Sequence, residues 1–254
     1  MILMKLQKLI FIVIILTPFC QAAFSQIGSK PVVMIVHGTW SGGWRFQEVS
    51  SLLTENECIV YTPTLTGLGE RFHLSSPEIG LETHINDIVS TIIFEELSNV
   101  ILVGHSYGGM VIAGVADSIP ERIRKMVYVD AVYPEDGESV YSALGPANLT
   151  WAKVENEYLI PTWLDKAESF PKLVPHPLKS WTDEISLHNP DREKIPTVFI
   201  LTVDKGANPE DDLFHSQANK ARLEGFSVLH LEADHNPQDT ALSDFIRILE
   251  DLIR

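Results

Sequence analysis

Three short segments carry residues whose types and spacing could act on a substrate. Gly104-His105-Ser106-Tyr107-Gly108 has the spacing G-x-S-x-G. It follows an apolar run, Val100 to Val103, and leads into a second one from Met110 to Asp117. A serine on so sharp a strand-to-helix turn is lifted clear of the sheet, and flanking glycines let the two arms of the turn nearly touch. Ser106 is therefore a candidate nucleophile, and the N–H of Tyr107, where the helix begins, a candidate donor to a developing oxyanion. A hydroxyl needs a base. His235 stands in the loop Glu232-Ala233-Asp234-His235-Asn236-Pro237, just past the last strand-like run, where no apolar periodicity draws it into a core. The third segment, His37-Gly38-Thr39, ends the first strong apolar run. Thr39 N–H is a candidate second oxyanion donor, and Gly38 lets the backbone come close to a ligand.

The base needs a carboxylate to fix its tautomer and stabilise the imidazolium. In the chain order Ser, Asp, His, the expected partner is Asp204, directly after the run Thr197 to Val203. Asp130, directly after Met126 to Val129, is the alternative one strand earlier. Asp211, Asp212 and Asp234 read as solvated. Of the other histidines, His230 lies in a strand and His105 within the serine turn. His73, His84, His176, His188 and His215 read mostly as loop or helix surface, and His37 as support beneath its loop.

The elements that must hold these groups alternate. Pro31 to Val36, Glu57 to Tyr61, Val100 to Val103, Met126 to Val129, Thr197 to Val203 and Phe226 to Leu231 read as strands. Several are continuous β-branched runs, the pattern of strands buried on both faces. Between them, Arg45 to Glu55, Glu82 to Leu97 and Met110 to Asp117 have helical spacing, and Thr240 to Ile253 closes the chain with Leu242, Phe245, Ile246, Leu249 and Ile253 on one face. Alternation of this kind predicts an α/β fold with a mostly parallel, doubly wound sheet. One stretch breaks the rhythm. From Tyr133 to Ile195 prolines alternate with Trp151, Tyr158, Trp163, Phe170 and Trp181, and no buried strand stands out. It is too long for a plain crossover and reads as an inserted cap over roughly residues 133–195, with Trp151, Trp163 and Trp181 as candidate substrate-lining residues.

Composition bounds the rest. The 254 residues are 45% hydrophobic and carry a formal charge of −15, which suits one domain and excludes a disordered chain. No basic run is present, so a nucleic-acid partner is not expected. Lys5 and Lys8, the apolar run Leu9 to Leu16, Pro18 and the small-x-small triplet Ala23-Phe24-Ser25 read as a secretory signal peptide over residues 1–25. The run is too short to span a bilayer, so the expectation is a periplasmic or secreted domain over residues 26–254 with no stable membrane span after cleavage. Cys20 falls in that signal, which leaves Cys58 without a disulfide partner. No Cys/His cluster has zinc spacing and no Asp-x-Asp-x-Asp-Gly loop occurs, so neither metal nor cofactor is expected.

HGTWSGGW, GHSYGG, LTVDK and EADHNP, in that order, resemble the α/β-hydrolase superfamily, and more narrowly the plant methylesterase and hydroxynitrile lyase branch with its bacterial esterase relatives. The resemblance implies an α/β-hydrolase fold of eight strands whose first two are often short; here they are not visible, and a reduced N-terminal edge is expected. Lyases of that branch resemble one another in a Thr directly after the strand-end His and a Lys directly after the catalytic His. Gly38 and Asn236 occupy those positions here. Both departures point to hydrolysis of a small carboxylic ester or thioester through an acyl-enzyme. A lactonase or C–C bond hydrolase with the same triad, or a binding protein on the same fold, are the alternatives. The oligomeric state has no signature in the sequence.

Overall fold

Uninterrupted runs of Val, Ile and Leu become the strands of one sheet, and the amphipathic stretches become the helices on its two faces. The computed structural model describes residues 30–145, 150–163 and 172–254; the signal peptide expected over residues 1–25 lies outside the described residues. In chain order, the first half comprises β1 (Val32–Val36), α1 (Gln47–Glu55), β2 (Ile59–Tyr61), α2 (Leu81–Phe94), β3 (Val100–His105), α3 (Gly108–Ser118) and β4 (Ile123–Val129). An excursion follows, with α4 (Val140–Leu144), β5 (Ala152–Glu155), β6 (Tyr158–Pro161), β7 (His176–Pro177) and α5 (Lys179–Thr182). The chain ends with β8 (Thr197–Val203), α6 (His215–Leu223), β9 (Ser227–Glu232), α7 (Pro237–Thr240) and α8 (Leu242–Ile253).

The main sheet has six strands in the order β2-β1-β3-β4-β8-β9, every pair parallel. The two further N-terminal strands implied by the resemblance are not among the described residues. Alternate residues feed two cores. Met34, Val36, Leu102, Met126, Tyr128, Phe199 and Leu201 face α2, α3 and α6. Val33, Ile35, Ile101, Val103, Val127, Val129 and Ile200 face α1 and α8. The helix α6 had no counterpart in the sequence reading, because its buried residues are Gln217, Ala218 and Ala221 rather than large apolar ones.

Register decides which strand ends lie level. His105 of β3 pairs with Val129 of β4, and Val129 pairs with Ile200 of β8. The next residues, Ser106 and Asp130, therefore leave the sheet at the same height. β8 continues to Val203, where it pairs with Glu232 of β9. Asp204 is thus three residues beyond Leu201, the residue level with Asp130, or about 10 Å further along the strand direction.

The excursion between β4 and β8 carries a second sheet. β5, β6 and β7 pair antiparallel in sequence order. The sequence reading found no strand here, and the reason is visible in the burial. Three of the four β5 residues are exposed, and β6 and β7 are short and end in Pro161 and Pro177, so no run long enough to mark a strand stands out.

Candidate active site

The serine turn is closed by backbone contact. A Cβ on Gly104 would stand 2.8 Å from Gly108 O, and one on Gly108 would stand 2.4 Å from Val36 O, so side chains at either position would force the turn open. Ser106 itself takes a left-handed backbone, φ +55°. That conformation is held by the β4 end of the sheet, where Ser106 N–H donates to Val129 O (3.2 Å) and Val132 N–H donates to Ser106 O (3.1 Å).

The structure brings Ser106 and His235 together, and the carboxylate beside the imidazole is that of Asp130 rather than Asp204. Ser106 Oγ–H donates to His235 Nε2 at 3.0 Å, and His235 Nδ1–H donates to Asp130 Oδ2 at 2.6 Å. Asp204 is not brought to the imidazole. It is exposed at the head of a turn in which Ala207 N–H donates to its carbonyl, because the extra length of β8 carries it past the level of the serine. Asp130 is 1% exposed and bends inward on a left-handed backbone, φ +44°. Its N–H donates to Ile200 O (2.8 Å), and its second carboxylate oxygen accepts Thr202 N–H (3.2 Å). Both carboxylate oxygens of this buried side chain are therefore hydrogen-bonded.

A third acidic residue, read from the sequence as solvated, belongs here. Asp212 lines the same cavity as Ser106 and His235. Burial first, and the neighbouring Asp130 charge second, push its carboxyl up to about 6. Asp212 Oδ1 also accepts Phe214 N–H (2.8 Å). The Phe214 ring in turn lies parallel to the His235 ring, 5.1 Å between centroids. The His235 carbonyl oxygen accepts His105 Nε2–H (2.7 Å).

The candidate oxyanion donors flank the serine. Neither Thr39 N–H nor Tyr107 N–H is taken by an acceptor among the described residues. A Cβ on Gly38 would stand 2.9 Å from Ser106 Cβ and 3.4 Å from its Oγ, so the backbone here lies against the nucleophile. Beneath it His37 Nδ1–H donates to Gly38 O (2.8 Å), and His37 Nε2 accepts Leu65 N–H (3.1 Å). His84 and His176, expected at the surface, are both fully buried. His84 Nε2–H donates to Thr66 O, and its Nδ1 accepts the Tyr107 hydroxyl at 2.7 Å. Burial pushes His37 and His84 down to about 4, and His105 and His176 well below the ordinary histidine range, so all four rings are neutral with tautomers set by their partners. His84 was legible: it shares the apolar face of α2 with Leu81, Ile85, Ile88 and Ile92. His176, isolated between Pro175 and Pro177, carries no such signal.

One cavity of about 410 Å³ is lined by Gly38, Thr39, Ser106, Tyr107, Asp130, Asp212 and His235. Its far wall is aromatic. Trp40 packs edge-on against Trp151 (5.4 Å) and Trp163 (5.6 Å), and Trp151 against Trp181 (5.8 Å). Trp181 is buried and Trp163 exposed. Trp40, which lies among the glycines of HGTWSGGW and carries no signal of its own there, joins Trp151 and Trp163 in that wall. Among the described residues no group of three or more His, Cys, Asp or Glu is arranged to hold a metal.

The sequence profile of the alpha/beta hydrolase family matches residues 32–248. The chain belongs to the alpha/beta hydrolase family. Among its relatives, the carbendazim hydrolyzing esterase of Nocardioides sp. (strain SG-4G) is 52% identical over 114 residues, which is 45% of this chain and 47% of that protein. Methylesterase 8 of Arabidopsis thaliana is 29% identical over 131 residues, 47% of this chain and 44% of the relative. The chain thus spans about half the length of the curated relatives it matches. A solved pyrethroid hydrolase from Sphingobium faniae JZ-2 shares the fold with a TM-score of 0.71 at 19% identity, over 88% of this chain and 97% of that one.

Proposed function

We propose that this alpha/beta hydrolase cleaves small carboxylic esters or thioesters through an acyl-enzyme on Ser106. The hydrogen-bonded line Ser106–His235–Asp130 at the floor of an aromatic cavity carries the reading. Ser106 Oγ attacks the carbonyl carbon while its proton passes to His235 Nε2, and Asp130 stabilises the imidazolium through Nδ1–H. Thr39 and Tyr107 N–H groups donate to the oxyanion. His235 protonates the leaving alcohol, then takes a proton from water, and the resulting attack frees the acid and restores Ser106.

Relatives named as a carbendazim hydrolyzing esterase and a methylesterase support an ester substrate. Gly38 and Asn236, which replace the Thr and Lys of the lyases, support hydrolysis. Trp151, Trp163 and Trp181 contact the substrate's apolar portion in this reading, and Gly38 gives it access to Ser106. The domain acts outside the cytoplasm after removal of residues 1–25, so N-terminal sequencing of the exported chain should begin at Gln26.

A panel of p-nitrophenyl esters of rising chain length, with fluorophosphonate labelling, tests the function. Turnover with label on Ser106 is expected. Ser106→Ala should fold normally, take no label and lose several powers of ten in rate. Label on another residue, or turnover surviving in Ser106→Ala, would overturn the reading. A chelator should leave the rate unchanged. Truncating Trp151 or Trp181 should change the ratio of kcat/KM between short and long esters, since each methylene in an apolar pocket is worth about 1–3 kcal/mol.

A further inference from the structure

The segment between β4 and β8 does more than wall the cavity. It is hydrogen-bonded to the loop that bears Thr39, and among the described residues those bonds go through Trp40. Trp40 N–H donates to His176 Nδ1 (3.3 Å), Trp40 Nε1–H donates to Leu159 O (2.8 Å), and Val174 N–H donates to Trp40 O (2.9 Å). Trp40 is held in a left-handed conformation, φ +65°, which a tryptophan does not adopt unaided. On the other side of Thr39, His37 fixes Gly38 O. Thr39 is therefore suspended between two anchored residues, one tied to the sheet and one to the excursion. Its N–H direction depends on both.

His176 is suited to this task by its tautomer. Its Nε2–H donates to Ser180 Oγ (2.7 Å), and Ser180 Oγ–H donates to Pro177 O (2.9 Å). Pro177 O is a carbonyl and can only accept, so the chain of donors runs one way and leaves Nδ1 as an acceptor. The ring also packs edge-on against Tyr107, at 4.8 Å between centroids, so it touches the residues on both sides of the proposed oxyanion hole.

We propose that His176 is a positioning residue for the oxyanion hole, accepting the Trp40 N–H so that the Thr39 N–H points at the tetrahedral oxygen. The excursion then supplies part of the catalytic geometry as well as the substrate wall. This rests on the ester-hydrolase reading. A donor displaced by about 1 Å costs on the order of 100-fold in rate, and the loss falls on kcat because the oxyanion exists only past the ground state.

The test compares three substitutions at one position, with p-nitrophenyl butyrate as substrate and Tm as the check on folding. His176→Phe removes the acceptor and should lower kcat roughly 10- to 100-fold with KM nearly unchanged. His176→Asn places an amide oxygen where Nδ1 stood and should recover most of that loss. His176→Gln reaches toward Ser180 instead and should not. Equal losses in Asn and Gln, an unchanged kcat in a folded Phe variant, or a loss confined to KM would each overturn the proposal. Should the His176 variants not fold, Ser180→Ala frees the tautomer; it should lower kcat alone, and an unchanged kcat is then the overturning result. A wild-type chain without esterase turnover would sink the ester-hydrolase reading and this one together, whereas failure of the His176 series in an active enzyme sinks this one alone.

Discussion

Asp130 and Asp204 are the same residue type, each placed directly after a core strand, and those two strands are neighbours in the sheet. One is buried with both carboxylate oxygens bonded, and the other is exposed in a turn. The difference is three residues of register. Which carboxylate reaches the imidazole is decided by the height at which its strand ends relative to Ser106, and the sequence immediately around it says nothing about that height.

The comparison breaks most sharply at the imidazole. Asp130→Asn should lower kcat/KM by about 10⁴, the scale of a mis-set histidine tautomer. The same substitution at Asp204 should leave it within about twofold; if Asp204→Asn is the crippled variant, the assignment is reversed. Next in size is acid stability, which separates the buried end of the site from the exposed one. His37 and His84 are held at about 4, below the unfolded value near 6.5. Their contribution is complete above pH 6.5 and is lost as pH falls toward 4, at about 3 kcal/mol for each ring. His105 and His176 shift in the same direction. Asp212, raised to about 6, opposes them, since its share is present below its unfolded value and lost as pH rises through 6. Four buried rings outweigh one half-buried carboxyl, so denaturant midpoints should drop steeply between pH 6.5 and 4. A flat profile across that window would show the rings to be solvated.

Gly38→Ala probes the serine's end of the same level. Its Cβ would stand 2.9 Å from Ser106 Cβ, and the forced shift should cost on the order of 100-fold in kcat/KM with little change in Tm. The smallest effect is at Asp212. Its ionisation near pH 6 adds a negative charge beside the imidazolium that forms in the transition state, so the acid limb of kcat/KM should contain two ionisations in the wild type and one in Asp212→Asn. A limb identical in both would remove Asp212 from the site's electrostatics.

What the sequence made legible follows from how local each signal is. Ser106 needs only a tight turn between a strand and a helix, and Gly104 and Gly108 mark that turn within five residues. His235 needs only a loop after the last strand. The acid requires the pairing of β3 with β4 and of β4 with β8, which no local pattern encodes. The strands β5 to β7 were hidden for a related reason. They are two to four residues long, β5 is mostly exposed, and prolines end β6 and β7, so their pairing is a tertiary fact. His176 and Trp40 find each other across 136 residues of chain, and neither residue type announces a partner at that distance.

Three residues of the site, Trp40, Ser106 and Asp130, hold left-handed backbones that suit glycine better than themselves. Each such residue disfavours the native state by about 1–3 kcal/mol. If these residues serve the proposed hydrolysis, that service and resistance to heat pull against each other here. Ser106→Gly, with no side chain to strain, should melt at a higher temperature than the wild type while turning over nothing. A lineage selected for endurance alone would drift toward glycine at 106 and keep its shape after losing its chemistry.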